Sequence, residues 1–429
     1  MTNSPPINPQ LIDACVHCGF CLATCPSYRV IGKETDSPRG RIYLMDAINR
    51  REVQLTSPVV DHFDTCLGCL ACVTTCPSGV QYDQLISATR VQVESNYARS
   101  PFDFLLRWFI FHIFPYPQRM RWLLYPLWLY QKLGLESLLR SVGLWQLLPH
   151  RLQAMASILP PVTEEAFRDW LPTVVPAQGE KRYRVGVILG CVQRLFQPQV
   201  NEATVKVLAA NGCEVVIPPR QGCCGALSHH QGQSQQAQQL AREMIDCFTA
   251  AQVDYVIINA AGCGHTLKEY HHLLAADPQY KDKAKDFVTK VRDVHEFLDT
   301  VGMTAKLKPI AASLKVVYQD ACHLLHGQRI SLPPRRLLRQ IPQVELAEIV
   351  DNALCCGSAG VYNILQPQVA EELGRQKVQN LLAPQPDVIA SPNVGCALQI
   401  RKHLALQNRN VPVLHPVELL ARSLQNPLS

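Results

Sequence analysis

Cys15-Val16-His17-Cys18-Gly19-Phe20-Cys21-Leu22-Ala23-Thr24-Cys25-Pro26 and Cys66-Leu67-Gly68-Cys69-Leu70-Ala71-Cys72-Val73-Thr74-Thr75-Cys76-Pro77 are one stretch written twice. Each copy reads C-x2-C-x2-C-x3-C-P. Three cysteines at intervals of three can wrap a loop around one face of a cubane iron–sulfur cluster, leaving one iron to be ligated from elsewhere. The fourth cysteine, set apart by an extra residue and followed by proline, points away toward a neighbouring site.

This is the run with which bacterial two-cluster ferredoxins hold [4Fe–4S] clusters, three thiolates on one cluster and the fourth on the other. The spacing therefore predicts crossed ligation. Cys15, Cys18, Cys21 and Cys76 are expected on the first cluster, and Cys66, Cys69, Cys72 and Cys25 on the second. Zinc is the alternative, because C-x2-C pairs also build zinc knuckles, but two identical four-cysteine runs each closed by proline fit zinc poorly. Electron transfer is the first expectation.

At 429 residues, 47% apolar and 18% charged, the chain can bury two or three proper cores and is not disordered. Eighteen cysteines would suit a disulfide framework in a secreted protein. The start Met1-Thr2-Asn3-Ser4-Pro5-Pro6-Ile7 has no basic, apolar and small-residue signal pattern, so reduced thiols and a cytoplasmic location are expected. The net charge of +6 is spread out, which gives nucleic-acid binding little support.

Between the two runs, Ile42, Met45 and Ile48 recur at helical spacing after Ser37-Pro38-Arg39-Gly40-Arg41, predicting a mostly helical two-cluster domain. Arg39 and Arg41 either lie near a cluster and raise its potential or are solvated residues of a helix start. Residues 102 to 152 hold 12 of the chain's 30 aromatic residues, among them Trp108, Trp122, Trp128 and Trp145. Their charge-free stretches are too short to cross a bilayer and contain Pro115, Pro117 and Pro126. Packing on the cluster domain or a partner is one reading, and an interfacial face on the inner side of a membrane is the other. Pro160-Pro161, Pro172 and Pro176 mark the next boundary.

From Arg182 the pattern alternates between strands and helices. Strands are expected at 184–189, 214–217, 254–258, 315–318 and 387–390, and helices at 202–210, 335–339 and 369–382, the signature of open parallel α/β units. A repeat runs through this half. Cys191, Cys223-Cys224-Gly225 and Cys263 are matched by Cys322, Cys355-Cys356-Gly357 and Cys396, with spacings that agree to one residue. The outer cysteines follow predicted strands, where open α/β sheets place ligands, so each repeat can gather four thiols. Two cysteines remain, Cys213 and Cys247, and are expected to be packed thiols.

The C…CCG…C repeats resemble the cysteine-rich domains of heterodisulfide reductase and its relatives. Within that group the chain is most similar to the glycolate oxidase iron–sulfur subunits, on Asp36-Ser37-Pro38-Arg39-Gly40-Arg41-Ile42-Tyr43-Leu44, Gly262-Cys263-Gly264, Leu354-Cys355-Cys356-Gly357-Ser358-Ala359-Gly360 and Asn393-Val394-Gly395-Cys396 as well as the cysteine runs. One departure stands out: the reductase ends each repeat in C-x-x-C, whereas Cys263 is followed by Gly264-His265-Thr266 and Cys396 by Ala397-Leu398-Gln399. Each repeat is one thiol short. His265 could replace a lost thiol or simply be polar at a helix start; His17, His229, His230, His323 and His326 are expected in packing or capping roles.

The resulting fold class is a multidomain α+β chain. A ferredoxin-like domain (1–100), a helical aromatic linker (101–180) and two α/β CCG repeats (181–310 and 311–429) are expected. The chain has no G-x-G-x-x-G after a strand and no phosphate-cradling loop, so no catalytic residue is assigned to it. The resemblance implies an FAD-bearing partner that oxidises glycolate and onward transfer to a quinone or other acceptor. The two cysteine runs themselves predict two [4Fe–4S] clusters. Four soft thiolates per repeat suit a further iron–sulfur cluster at the CCG cysteines, with packed thiols as the alternative, whereas the missing final thiol of each repeat speaks against the reductase's own type of cluster. The alternatives are a thiol–disulfide catalytic subunit, or the corresponding subunit of a lactate or glycerol-3-phosphate dehydrogenase.

Overall fold

The computed structural model describes residues 7–133 and 162–425. Trp145, Pro160 and Pro161 lie outside the described residues.

The N-terminal domain is helical, as expected. Each cysteine run turns into a five-residue helix, Phe20–Thr24 and Ala71–Thr75, entered through a left-handed residue, Gly19 or Leu70. The motif Ser37-Pro38-Arg39-Gly40-Arg41 starts the helix Pro38–Asn49: Pro38 sits in its first turn, and the Ser37 hydroxyl accepts the Gly40 N–H at 3.1 Å. Gly40 is required there, since a Cβ would lie 2.0 Å from the Glu34 carbonyl oxygen. Ile42 and Met45 then point inward and pack with Phe63 and with Leu85 of the helix Tyr82–Asn96. Arg41 points inward with them and is fully buried, so the solvated reading does not hold for it.

Two linker helices follow, Pro101–Ile113 and Pro117–Lys132. Pro117 opens the second, but Pro126 lies within it rather than ending it. Among the described residues no helix is long and apolar enough to cross a membrane. The first packs Leu106, Ile110 and Phe111 on Val361 and Ile364, and the second packs Met120 and Leu124 on Leu195. Phe102, Phe104, Trp108, Trp122 and Tyr125 remain exposed.

The described residues of the C-terminal half form nine strands: β1 Val174–Val175, β2 Tyr183–Ile188, β3 Cys213–Val216, β4 Tyr255–Ile258, β5 Val291–Asp293, β6 Leu314–Tyr318, β7 Val344–Ala347, β8 Val388–Ala390 and β9 Val413–Leu414. They form two sheets, in the orders β1-β3-β2-β4-β5 and β7-β6-β8-β9. All pairs are parallel except β1 with β3. Without β1 the two orders are the same, the structural counterpart of the cysteine repeat. The sheets do not fold apart: Val185, Leu208 and Ile257 of one repeat share a core with Val316, Leu337 and Leu420 of the other. Each fully buried Leu or Val contributes about 1.5–3 kcal/mol, so this shared core holds the two repeats in one fixed orientation.

Candidate redox centre

The eight cysteines of the first two runs regroup across the sequence. Cys76 joins Cys15, Cys18 and Cys21 around one cavity, while Cys25 joins Cys66, Cys69 and Cys72 around another; Cys72 borders both. Cys18 is exposed, as are its neighbours Val16 and Phe20, whereas the second group is buried.

The second cavity is lined by four thiols, Arg41 and Tyr82, with no carboxylate or imidazole. Burial drives the thiols of Cys69 and Cys72 well above the usual range. Burial also raises Cys66, but the charges of Arg41 and Arg90, with the Gly68 N–H at 3.4 Å, outweigh it and bring that thiol down. Arg41 Nη2 donates to Ser27 Oγ at 3.0 Å and Thr65 Oγ1 at 3.1 Å, and Nε to the His62 carbonyl. Among the described residues its Nη1 is buried without a hydrogen-bond partner. A cationic donor left unpaired beside four buried thiols is the environment a negatively charged, thiolate-ligated cluster requires, so the residues fit such a group.

The CCG cysteines hold the main departure from expectation. Cys191, Cys223 and Cys224 follow β2 and β3, and Cys263 sits in the first turn of the helix Ala261–Lys268 after β4. Cys322, Cys355, Cys356 and Cys396 repeat the arrangement after β6, β7 and β8. The sequence predicts four thiols at the edge of each repeat. In the fold these edges face each other, and all eight thiols line one chamber of about 140 Å³. Cys191 and Cys223 Sγ are 3.3 Å apart. Gly357 is left-handed at φ +83, where a Cβ would meet the Ala370 carbonyl oxygen at 2.6 Å, which explains the glycine of the motif. Cys66 also borders the chamber, and Cys69 packs with Cys322 and Cys355. Cys213 is fully buried in β3 and Cys247 packs on the core of the first repeat; neither lines the chamber. The donors are spread around cavities; among the described residues no group of three or more closes on a single metal ion.

His265 is not part of the chamber wall, but His230 and His323 are. The three rings form a cluster in which His265 is buried and His230 and His323 are half-buried, with centroids 4.9 Å (His230–His323) and 5.0 Å (His265–His323) apart. The ring of His323 reaches the Gly68 carbonyl at 2.9 Å, and Arg90 donates to the His230 carbonyl at 2.8 Å, tying the first domain to the repeats. Sequence reasoning gave both histidines packing roles. The available signal for His323 was its place directly after Cys322 at a strand end; Arg90 carried none.

Burial also holds other imidazoles neutral, and this makes the fold acid-sensitive. His229 is pushed down to about 4 and His415, which caps the helix Pro416–Ser423, to about 3. Both folded values lie below the unfolded value of about 6.5. Their contribution is therefore complete above that pH and is lost as pH falls, by about 2 kcal/mol per histidine at pH ~5. The urea midpoint should drop accordingly between pH ~7.5 and ~5; an unchanged midpoint would contradict this.

Comparison with known proteins agrees with this geometry. The chain is 37% identical over 410 residues to the probable glycolate oxidase iron–sulfur subunit of Bacillus subtilis (strain 168), covering 95% of this chain and 92% of that one. It is 34% identical over 425 residues to the glycolate oxidase iron–sulfur subunit of Escherichia coli (strain K12), covering 97% and 95%. The chain belongs to the glycolate oxidase iron–sulfur subunit family. Family descriptions match residues 11–80 (4Fe-4S dicluster domain), 103–159 (glycolate oxidase iron–sulfur subunit, linker region), and 185–268 and 316–401 (cysteine-rich domain). Lactate utilization protein A of Shouchella clausii is a more distant relative of this family member, 29% identical over 55% of this chain and 98% of that protein. A crystal structure of a hypothetical protein from Helicobacter pylori shares the fold at a TM-score of 0.53 and 9% identity, covering 91% of this chain and 68% of that one.

Proposed function

We propose that this chain is the electron-transfer subunit of a glycolate dehydrogenase complex. Cys15, Cys18, Cys21 and Cys76 would hold one [4Fe–4S] cluster, Cys25, Cys66, Cys69 and Cys72 a second, and the CCG cysteines a further iron–sulfur group. Bound there, the clusters would take up and release electrons one at a time. The remaining work falls to the protein: the exposed edge at Cys18 faces a flavin-bearing partner that converts glycolate to glyoxylate, and the buried groups shield the path onward to a quinone or other acceptor. The units we infer end near residues 100, 180 and 310, and the exposed aromatic residues of the linker would lie against a membrane surface.

One observation carries this reading. Three thiol-lined cavities lie in series, the first open at Cys18, the second buried and sharing Cys72 with the first, the third bordered by Cys66 of the second. Deleting the chain should abolish glycolate-dependent reduction of the downstream acceptor in extracts, and the chain purified alone should not oxidise glycolate. Glyoxylate formation by the flavin-free chain would overturn the division of labour.

A further inference from the structure

Beside the thiol chamber lies a second cavity, of about 430 Å³, within the roughly 300–1,000 Å³ of small-molecule sites. It is walled by apolar side chains of the linker helices and the repeats, including Phe114, Leu124, Phe196 and Ile364. Its polar residues are Ser358, buried two positions after Cys356, and Asn363, whose Nδ2 is already donated to Gln399. Val192, Leu227, Gly360 and Gly395 border this cavity and the thiol chamber alike. Two of the four carry no side chain, so the partition is thin. Leu123 also lines the cavity and is 44% exposed, next in sequence to Trp122 at 83%. Nothing in the thiol chemistry requires this apolar lining.

We propose that this cavity binds a lipophilic acceptor of the quinone class, its ring against Gly360, Gly395 and the Ser358 hydroxyl and its tail leaving past Leu123 and Trp122. A lipophilic redox carrier is the ligand class that needs an apolar chamber on one side and a redox centre on the other. Each turnover reduces one quinone to the hydroquinone with two electrons and two protons. The electrons are the two that a 2-hydroxy acid gives up in becoming a 2-oxo acid, and the protons come from solvent. This rests on the electron-transfer reading above and names its exit.

The test uses the full chain carrying its clusters, with dithionite as electron source, so it stands or falls independently of glycolate and of the flavin partner. A decyl-substituted benzoquinone should quench the tryptophan fluorescence of the oxidised chain saturably. It should also reoxidise the reduced chain. Ile364→Trp, which fills the cavity, should weaken that binding and slow reoxidation by the quinone at least about tenfold, leave reoxidation by ferricyanide unchanged, and keep the absorbance near 400 nm; Ile364→Val should behave as wild type. Absence of saturable quenching in the wild-type chain would overturn the proposal, whether or not the Trp variant folds. Equal quinone rates in wild type and Ile364→Trp would overturn it as well.

Discussion

Replacing Cys25 by Ser is expected to remove the cluster proposed at Cys66, Cys69 and Cys72 while leaving the one at Cys15, Cys18 and Cys21, although Cys25 belongs to the first run. Cys25 is almost fully buried, its Sγ is 3.2 Å from Ser27 Oγ, and it lines the cavity of the second run. Pro26 begins a new helix immediately after it, Pro26–Ile31, which fixes the direction of the side chain. Serine offers a hard hydroxyl in place of a soft thiolate, and the second cavity lies between the other two. Acceptor reduction should therefore fall roughly a hundredfold or more. Electron paramagnetic resonance of the reduced protein distinguishes the two clusters. Loss of the first cluster with the second intact would refute the crossed grouping.

Much of this was legible because it is local. Cysteine spacing, the helix start at Ser37-Pro38 and the longer parallel strands are each written within a few consecutive residues. The two-residue strands β1 and β9 lie below any periodic signal, β5 reads Val291-Arg292-Asp293 with two charged residues where the equally short β8 is wholly apolar and buried, and β7 is only half buried and shows no apolar run. What the sequence could not show is how the repeats meet. Their facing is set by the core that Val185 and Leu208 share with Val316 and Leu420, contacts between residues more than a hundred positions apart. The single eight-thiol chamber follows from that packing, and so does the meeting of Arg90 with the His230 carbonyl. Spacing within each repeat points to four thiols at one edge but carries no information on what the edge faces.

Arg41→Met should lower the potential of the second cluster by on the order of 60 mV, a factor of ten in a one-electron equilibrium, and leave the first cluster's potential in place. Arg41 remains charged although burial opposes it, because Cys66, Cys25 and Asp36 surround it. Reduction adds negative charge to the site, and a neighbouring guanidinium stabilises that charge; without it the reduced form is disfavoured and the potential falls. Methionine fills much of the space but supplies neither the charge nor the unpaired Nη1 donor. The fold should also lose about 3 kcal/mol, the lower end for breaking a buried pair, because Asp36 keeps its contacts with Thr65 at 2.7 Å and His62 at 3.0 Å. Arg41→Lys separates the two effects: it restores the charge and most of the potential, but it cannot bond Ser27, Thr65 and the His62 carbonyl together, so stability stays low. A redox titration of the Met variant, with both clusters intact, that shows an unshifted second potential would mean that Arg41 serves only the fold.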